Sequence, residues 1–230
     1  MEKQKTEEYS TSRGFYDRIS RVYDSIADPN ELKARELGEN ALRLRANESV
    51  LEIGFGTGSS LLQMARCVAP SGRVCGLDVS SGMMRVANEK VSQAGLDVDM
   101  DLREGDVLAG LPWSGKTFAA ALLSFTLEAF GDEEMVSVLS EVRRVLVDGG
   151  RVSVVSMSTL PNGGPDSLLV TAYKRMRRDF AHILGARPVD VVGSLSAAGF
   201  EIVSEARMEV WTVPVAIVLA KKNDAAPAGP

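Results

Sequence analysis

The sequence predicts an α/β fold: a doubly wound, Rossmann-like sheet of seven strands, mostly parallel with one antiparallel edge strand, preceded by a helical lid. Three observations carry this. From residue 49 to residue 157, short apolar runs alternate with stretches of helical periodicity. A glycine-rich segment follows the first apolar run. The last two runs, 200–207 and 211–220, are parted by a turn too short for a crossover helix, so they must pair antiparallel.

The elements follow in chain order. Residues 1–12 are polar and aperiodic, and 223–230 form an Ala/Pro/Gly tail; both are expected to lack order, leaving a single domain over 13–222. The lid spans 13–45. Phe15, Ile19, Val22 and Ile26 have the spacing of one amphipathic helix, and a second is expected over 31–44 after Asp28-Pro29-Asn30. The first strand is 49–53, and the helix after the glycine segment carries Leu61, Leu62, Ala65 and Val68 and stops near Pro70-Ser71-Gly72. Then come strand 73–78, helix 82–94, strand 98–103, strand 117–125, helix 133–146 and strand 151–157. Gly149-Gly150 is expected to form a left-handed helix end. The insertion 158–187 should roof the active site, with helices over 167–183 and 188–198, before the final antiparallel pair, which Trp211 should anchor.

With 230 residues, 45% hydrophobic and 25% charged, the chain suits one globular core. No apolar run reaches the roughly 18 residues of a membrane span, and no apolar leader is present, so cytoplasm is the expected compartment. A net charge of -5 offers nothing to a phosphate backbone, which argues against a nucleic-acid partner. The basic cluster at residues 174–178 reads as the solvated face of a helix. Cys67 and Cys75 are too few for a disulfide framework or a zinc site; no metal is expected, and both read as small core residues. A homodimer stays open.

In an open parallel sheet, ligands bind beyond the carboxyl ends of the strands, where the first glycine-rich turn lets the backbone come close. Here that turn is Glu52-Ile53-Gly54-Phe55-Gly56-Thr57-Gly58. Its spacing is G-x-G-x-G; the dinucleotide fingerprint needs a glycine where this chain has Ser59. Asp78 ends the second strand, where a carboxylate can accept hydrogen bonds from a ribose diol, while Ser80 and Ser81 supply helix caps. Asp106 follows the third strand and can accept from an adenine amine. Three carboxylates, Glu52, Asp78 and Asp106, thus gather at one edge with no Lys or Arg in the loop. Such a site suits a cationic nucleoside without phosphate. S-adenosylmethionine (SAM) fits: it carries a sulfonium, an ammonium and a ribose diol, and its carboxylate can be met by loop N–H groups.

On these residues the chain resembles the class I SAM-dependent methyltransferases over about 16–220. The matching segments are residues 52–58, Gly76-Leu77-Asp78-Val79-Ser80 with Met83-Met84, Glu104-Gly105-Asp106-Val107, and Leu146-Val147-Asp148-Gly149-Gly150-Arg151. The resemblance implies that Glu52 and the glycines Gly54, Gly56 and Gly58 face the methionine part of SAM, with Phe55 and Thr57 of the same loop also at the cofactor. Asp78 would lie at the ribose, Asp106 at the adenine and Ser124 at the rim beside the methyl group, with Val79, Met83 and Val107 also touching the cofactor. Residues 21–27 resemble the amino-terminal segment of the ubiquinone/menaquinone methyltransferase branch, in which Tyr23 would close over the cofactor. Residues 124–130 depart from that branch, lacking its asparagine-containing segment. The Asn/Asp-Pro-Pro-Tyr motif of base and glutamine methylation is absent, as is the cysteine set of arsenite methyltransferases.

Methyl transfer from a sulfonium is an in-line displacement with an activated leaving group, so positioning and exclusion of water do most of the catalysis. A base, where the acceptor needs one, is assigned to His182, the only histidine; Glu128 and Asp17 are further candidates. Tyr16, Phe125, Tyr173 and Phe180, with Phe15 and Tyr23, predict a small, partly apolar acceptor. Two other readings share the fold: a SAM-binding protein with a regulatory or non-methylating role, and a nucleotide-dependent oxidoreductase, against which Ser59 speaks.

Overall fold

A computed structural model describes residues 29–159, 187–210 and 213–223. Its helices are α1 (Pro29–Ala41), α2 (Ser59–Val68), α3 (Ser81–Ala94), α4 (Asp132–Val145) and α5 (Val191–Ala197). Its strands are β1 (Ser49–Ile53), β2 (Arg73–Asp78), β3 (Asp99–Glu104), β4 (Phe118–Ser124), β5 (Leu146–Met157), β6 (Phe200–Val210) and β7 (Val213–Lys222). The helix expected from Phe15, the helix over 167–183, the basic cluster at 174–178, Trp211 and the two tails lie outside the described residues.

The strands form one sheet in the order β3-β2-β1-β4-β5-β7-β6. β1 pairs in parallel with β2 and with β4, and β4 with β5. β7 runs antiparallel to both β5 and β6, so the antiparallel pair forms one edge and the reversed strand lies one position in from it. Strand order changes direction between β1 and β4, which leaves a crevice at their carboxyl ends.

Strand side chains alternate between faces, so each central strand feeds two cores. Leu51, Ile53, Leu123, Val152 and Val154 pack with Met135 and Leu139 of α4 and Leu195 of α5. Val50, Val74, Ala120 and Leu122 pack on the opposite face with Leu61 and Met64 of α2 and Ala87 of α3. By this parity Glu52 and Ser124 belong to the second face. α1 lies on that face too, over β5 and β7, through Ala34 and Gly38. Glycine costs a helix interior about 1 kcal/mol, yet a Cβ at Gly38 would stand 2.3 Å from Val155 Cγ2. The missing side chain is what lets α1 settle on β5.

One junction differs from expectation. α4 stops at Val145, Leu146 is extended and already pairs with Phe118, and the next matched pair is Ala120 with Arg151. Gly149, with φ 68, falls in the slipped register between those pairs. It therefore forms a bulge within β5 rather than a helix end. Cys75 is a core residue of β2 as expected, whereas Cys67 is exposed on α2. Among the described residues no helix is long and apolar enough to cross a membrane.

Candidate functional site

The loop between β1 and α2 is built on three left-handed glycines: Gly54, Gly56 and Gly58 have φ of 70, 54 and 80. That conformation costs any other L-residue about 1–2 kcal/mol, which accounts for a G-x-G-x-G spacing on backbone grounds alone. Two of the three also sit where a side chain has no room. A Cβ at Gly54 would lie 2.5 Å from Thr126 Oγ1, and one at Gly58 would lie 2.9 Å from Ala87 Cβ. Thr126 in turn donates to the Ile53 and Ser124 carbonyls at 3.1 Å, locking the ends of β1 and β4 together.

The three glycine N–H groups of the loop are committed. Gly54 donates to Leu77 O at 2.8 Å, Gly58 to Phe55 O at 2.9 Å, and Gly56 to Asp78 Oδ2 at 2.8 Å. Asp78 accepts a second bond on Oδ1 from Ser80 N at 2.9 Å, and Ser80 caps α3 by accepting from Met83 N at 3.1 Å. Asp78 is thus a brace between the glycine loop and the start of α3 as well as a wall of the cleft beside it. The Phe55 ring rests on Gly76, where a Cβ would approach it to 2.6 Å.

The loop opens on a cleft of about 950 Å³, its open mouth included. Glu52, Gly54, Phe55, Gly56 and Thr57 form its floor, and Asp78, Val79 and Met83 line it beyond β2. Gly105 and Val107 lie beyond β3, Ser124, Phe125, Thr126 and Phe130 beyond β4, and Arg35 and Ser60 come from α1 and α2. Of the predicted cofactor residues that are described, two are missing from this wall. Gly58 sits behind the loop as the first turn of α2 begins. Asp106 spends Oδ1 on Leu108 N at 2.9 Å, capping a short 3-10 turn, so Gly105 and Val107 flank the cleft in its place. Phe125, predicted as acceptor lid, does line the cleft and holds a left-handed φ of 52. Tyr16, Tyr23, Tyr173, Phe180 and His182 lie outside the described residues.

Glu52 has 2% exposure, and its Oε2 has no hydrogen-bond partner. Burial holds its carboxyl well above the usual range; the Arg35 charge pulls it down, while Glu39 and Asp78 push it further up. An orphaned, buried carboxylate oxygen at the floor of an open cleft can be satisfied by a cationic donor. Ser124 Oγ is likewise buried without a partner on the cleft wall. These vacant acceptors fit the ammonium and sulfonium end of SAM and supply nothing for a pyrophosphate. Arg35 and Thr126 went unremarked in the sequence: Arg35 is one of several charged residues on an amphipathic helix, and Thr126 follows a strand end like many threonines.

With this geometry in hand, three comparisons bear on the chain. A family model described as a methyltransferase domain matches residues 50–150. The demethylmenaquinone methyltransferase of Lactobacillus johnsonii is 30% identical over 168 residues, covering 73% of this chain and 67% of that protein. The chain belongs to the SAM-dependent methyltransferases, in the branch of the quinone-modifying enzymes. The 2-phytyl-1,4-naphtoquinone methyltransferase of Synechococcus elongatus is 29% identical over 148 residues, 63% of this chain and 62% of that one. The demethylmenaquinone methyltransferase of Listeria monocytogenes is 32% identical over 143 residues, and the match spans 57% of its length. Among solved structures the fold is shared with the cyclase SpnF, with a TM-score of 0.71 and 19% identity over 92% of this chain and 96% of that one. It is shared also with geranyl diphosphate C-methyltransferase from Streptomyces coelicolor A3(2), with a TM-score of 0.68 and 14% identity over 84% and 80% of the two chains. The branch therefore stands as the resemblance implied, even though residues 124–130 depart from its usual segment.

Proposed function

We propose that this chain transfers the methyl group of SAM to a small, partly apolar acceptor of quinone or phenol type. The observation that carries the reading is Glu52, a buried carboxylate with an unpartnered oxygen at the floor of a cleft whose far wall is Asp78. In this reading Glu52 takes the ammonium of SAM, Asp78 the ribose hydroxyls, and Val79 and Met83 cover the sugar and base. Val107 and the Gly105 backbone border the adenine. Ser124 and Phe125 stand at the rim where cofactor and acceptor meet. SAM supplies the activated methyl group; the chain aligns donor and acceptor, keeps water out with Phe125 and Phe130, and removes the acceptor's proton where one must leave. Tyr16, Tyr23, Tyr173 and Phe180 are proposed to complete the acceptor wall, and His182 to hold the proton.

The names of the quinone-modifying relatives and the apolar rim support an acceptor of that type. The test is incubation with methyl-labelled SAM and a panel of reduced naphthoquinones, catechols and amines, followed for S-adenosylhomocysteine and labelled product. Label on a quinol or phenol is the expected result. Label on RNA, or cofactor binding with no S-adenosylhomocysteine from any acceptor, would contradict it.

A further inference from the structure

SAM presents a zwitterion at its amino-acid end, so a site that takes the ammonium on Glu52 must also meet a carboxylate. The expected partner was the backbone of the glycine loop. All three glycines of that backbone are occupied: the N–H groups of Gly54, Gly56 and Gly58 are bonded to Leu77 O, Asp78 Oδ2 and Phe55 O. The cleft holds one cationic side chain among the described residues, Arg35 of α1. We propose that Arg35 is a cofactor-binding residue whose guanidinium receives the carboxylate of SAM, opposite the ammonium held by Glu52. The proposal rests on the SAM reading above and assigns the second half of the same subsite.

Three further features support it. Arg35 is held in place by the tightest part of α1: Ala34 is fully buried beside it, and Gly38, one turn on, packs directly against Val155. Its guanidinium carries five N–H donors in a fixed fork, matched to a carboxylate, and uses one of them, Nη2 to Glu31 Oε1 at 3.2 Å. Lastly, Arg35 does not pair with Glu52, whose Oε2 stays without a partner even though the Arg35 charge acts on it. The guanidinium and the Glu52 carboxyl share a cleft without a direct bond. An arginine and an acid so placed would receive a zwitterion as a matched pair, the guanidinium meeting its carboxylate and Glu52 ionising as it meets its ammonium.

The experiment compares SAM with decarboxylated SAM, which keeps the sulfonium, the ammonium and the nucleoside and lacks only the carboxylate. Both are titrated calorimetrically into the wild-type chain and into Arg35→Met, which keeps the apolar stem. Hydrogen bonds to a charged group are worth about 1.5–3 kcal/mol, so SAM should bind on the order of 10- to 100-fold more weakly to the variant. Decarboxylated SAM should bind both proteins alike, and that retained binding also reports that the variant is folded. Arg35→Lys should recover part of the SAM affinity. If both ligands weaken together, Arg35 acts by keeping Glu52 ionised or by holding α1, and the proposal is overturned. It is equally overturned if SAM binds Arg35→Met as it binds the wild type. Failure of the wild-type chain to bind either ligand would instead remove the SAM reading itself.

Discussion

Glu52, in the last turn of pleat of β1, and Glu128, just past β4, lie near the carboxyl edge of the same sheet with 2% and 3% exposure. Burial raises the carboxyl of each. Each also keeps one oxygen without a partner, Oε2 of Glu52 and Oε1 of Glu128. Their surroundings differ. Glu128 accepts a 2.6 Å hydrogen bond from Ser156 Oγ, is absent from the cleft wall, and is pushed up to about 7 with only hydrogen bonds to draw it back. Glu52 faces the cleft and has the Arg35 charge acting on it. A buried acid that ties two strands gains from staying neutral, whereas one meant for a cationic ligand must be able to ionise when the ligand arrives. The difference separates a structural acid from a binding acid at one sheet edge.

The largest expected effect comes from displacing the loop that holds Glu52 and Asp78 in register. Gly54→Val forces a side chain into Thr126 at a left-handed position, so SAM binding should fall more than about 100-fold by calorimetry, well beyond the strain of about 1–2 kcal/mol that a left-handed residue alone would cost. Next is the pair itself. Glu52→Gln should weaken SAM on the order of 10- to 100-fold, as loss of a charged hydrogen bond does, while Glu128→Gln leaves the cofactor affinity within about twofold. Equal losses from both would erase the distinction. A smaller effect is the pH dependence of binding. Because burial holds the free Glu52 carboxyl high and an ammonium favours its ionised form, binding expels a proton, and SAM affinity should rise with pH above the usual carboxylate range, by no more than about tenfold per unit. Titrations in buffers of different ionisation enthalpy check this, and a flat profile would mean that Glu52 is already ionised or is not the ammonium's partner. The smallest effect concerns stability. A carboxyl raised to about 7 in the folded state binds its proton more tightly there than when unfolded. Stability from that proton is full below the unfolded value near 4.5 and is lost as pH climbs through about 7. Glu128→Gln should therefore raise the melting temperature at pH 8 relative to the wild type and give little or no gain at pH 5.

How legible these features were in the sequence follows from their range. The strands and helices from 49 to 157 announce themselves by local periodicity, and Gly54, Gly56, Gly58 and Asp78 by spacing, because each is required by its own few neighbours. At Gly149 the sequence fits a helix end as well as a bulge, since a left-handed glycine serves either purpose; only the pairing of Leu146 with Phe118 distinguishes them. Asp106 matched a motif, yet its side chain turns to Leu108, a choice made by the 3-10 turn it starts. Arg35 enters the site because Gly38 lets α1 press on β5, and a contact between residues 38 and 155 leaves no local trace. The same holds for the burial that sets Glu52 apart from Glu128: the sequence shows two glutamates near strand ends, and only the packed sheet assigns one to a cleft.

The most direct test of the account is a calorimetric titration of the wild-type chain with S-adenosylhomocysteine and, separately, with NAD. Saturable one-to-one binding of S-adenosylhomocysteine with no heat from NAD is the predicted result. Binding of NAD in preference, or no binding of S-adenosylhomocysteine, would contradict the assignment of the cleft beneath Glu52 and Asp78 to SAM.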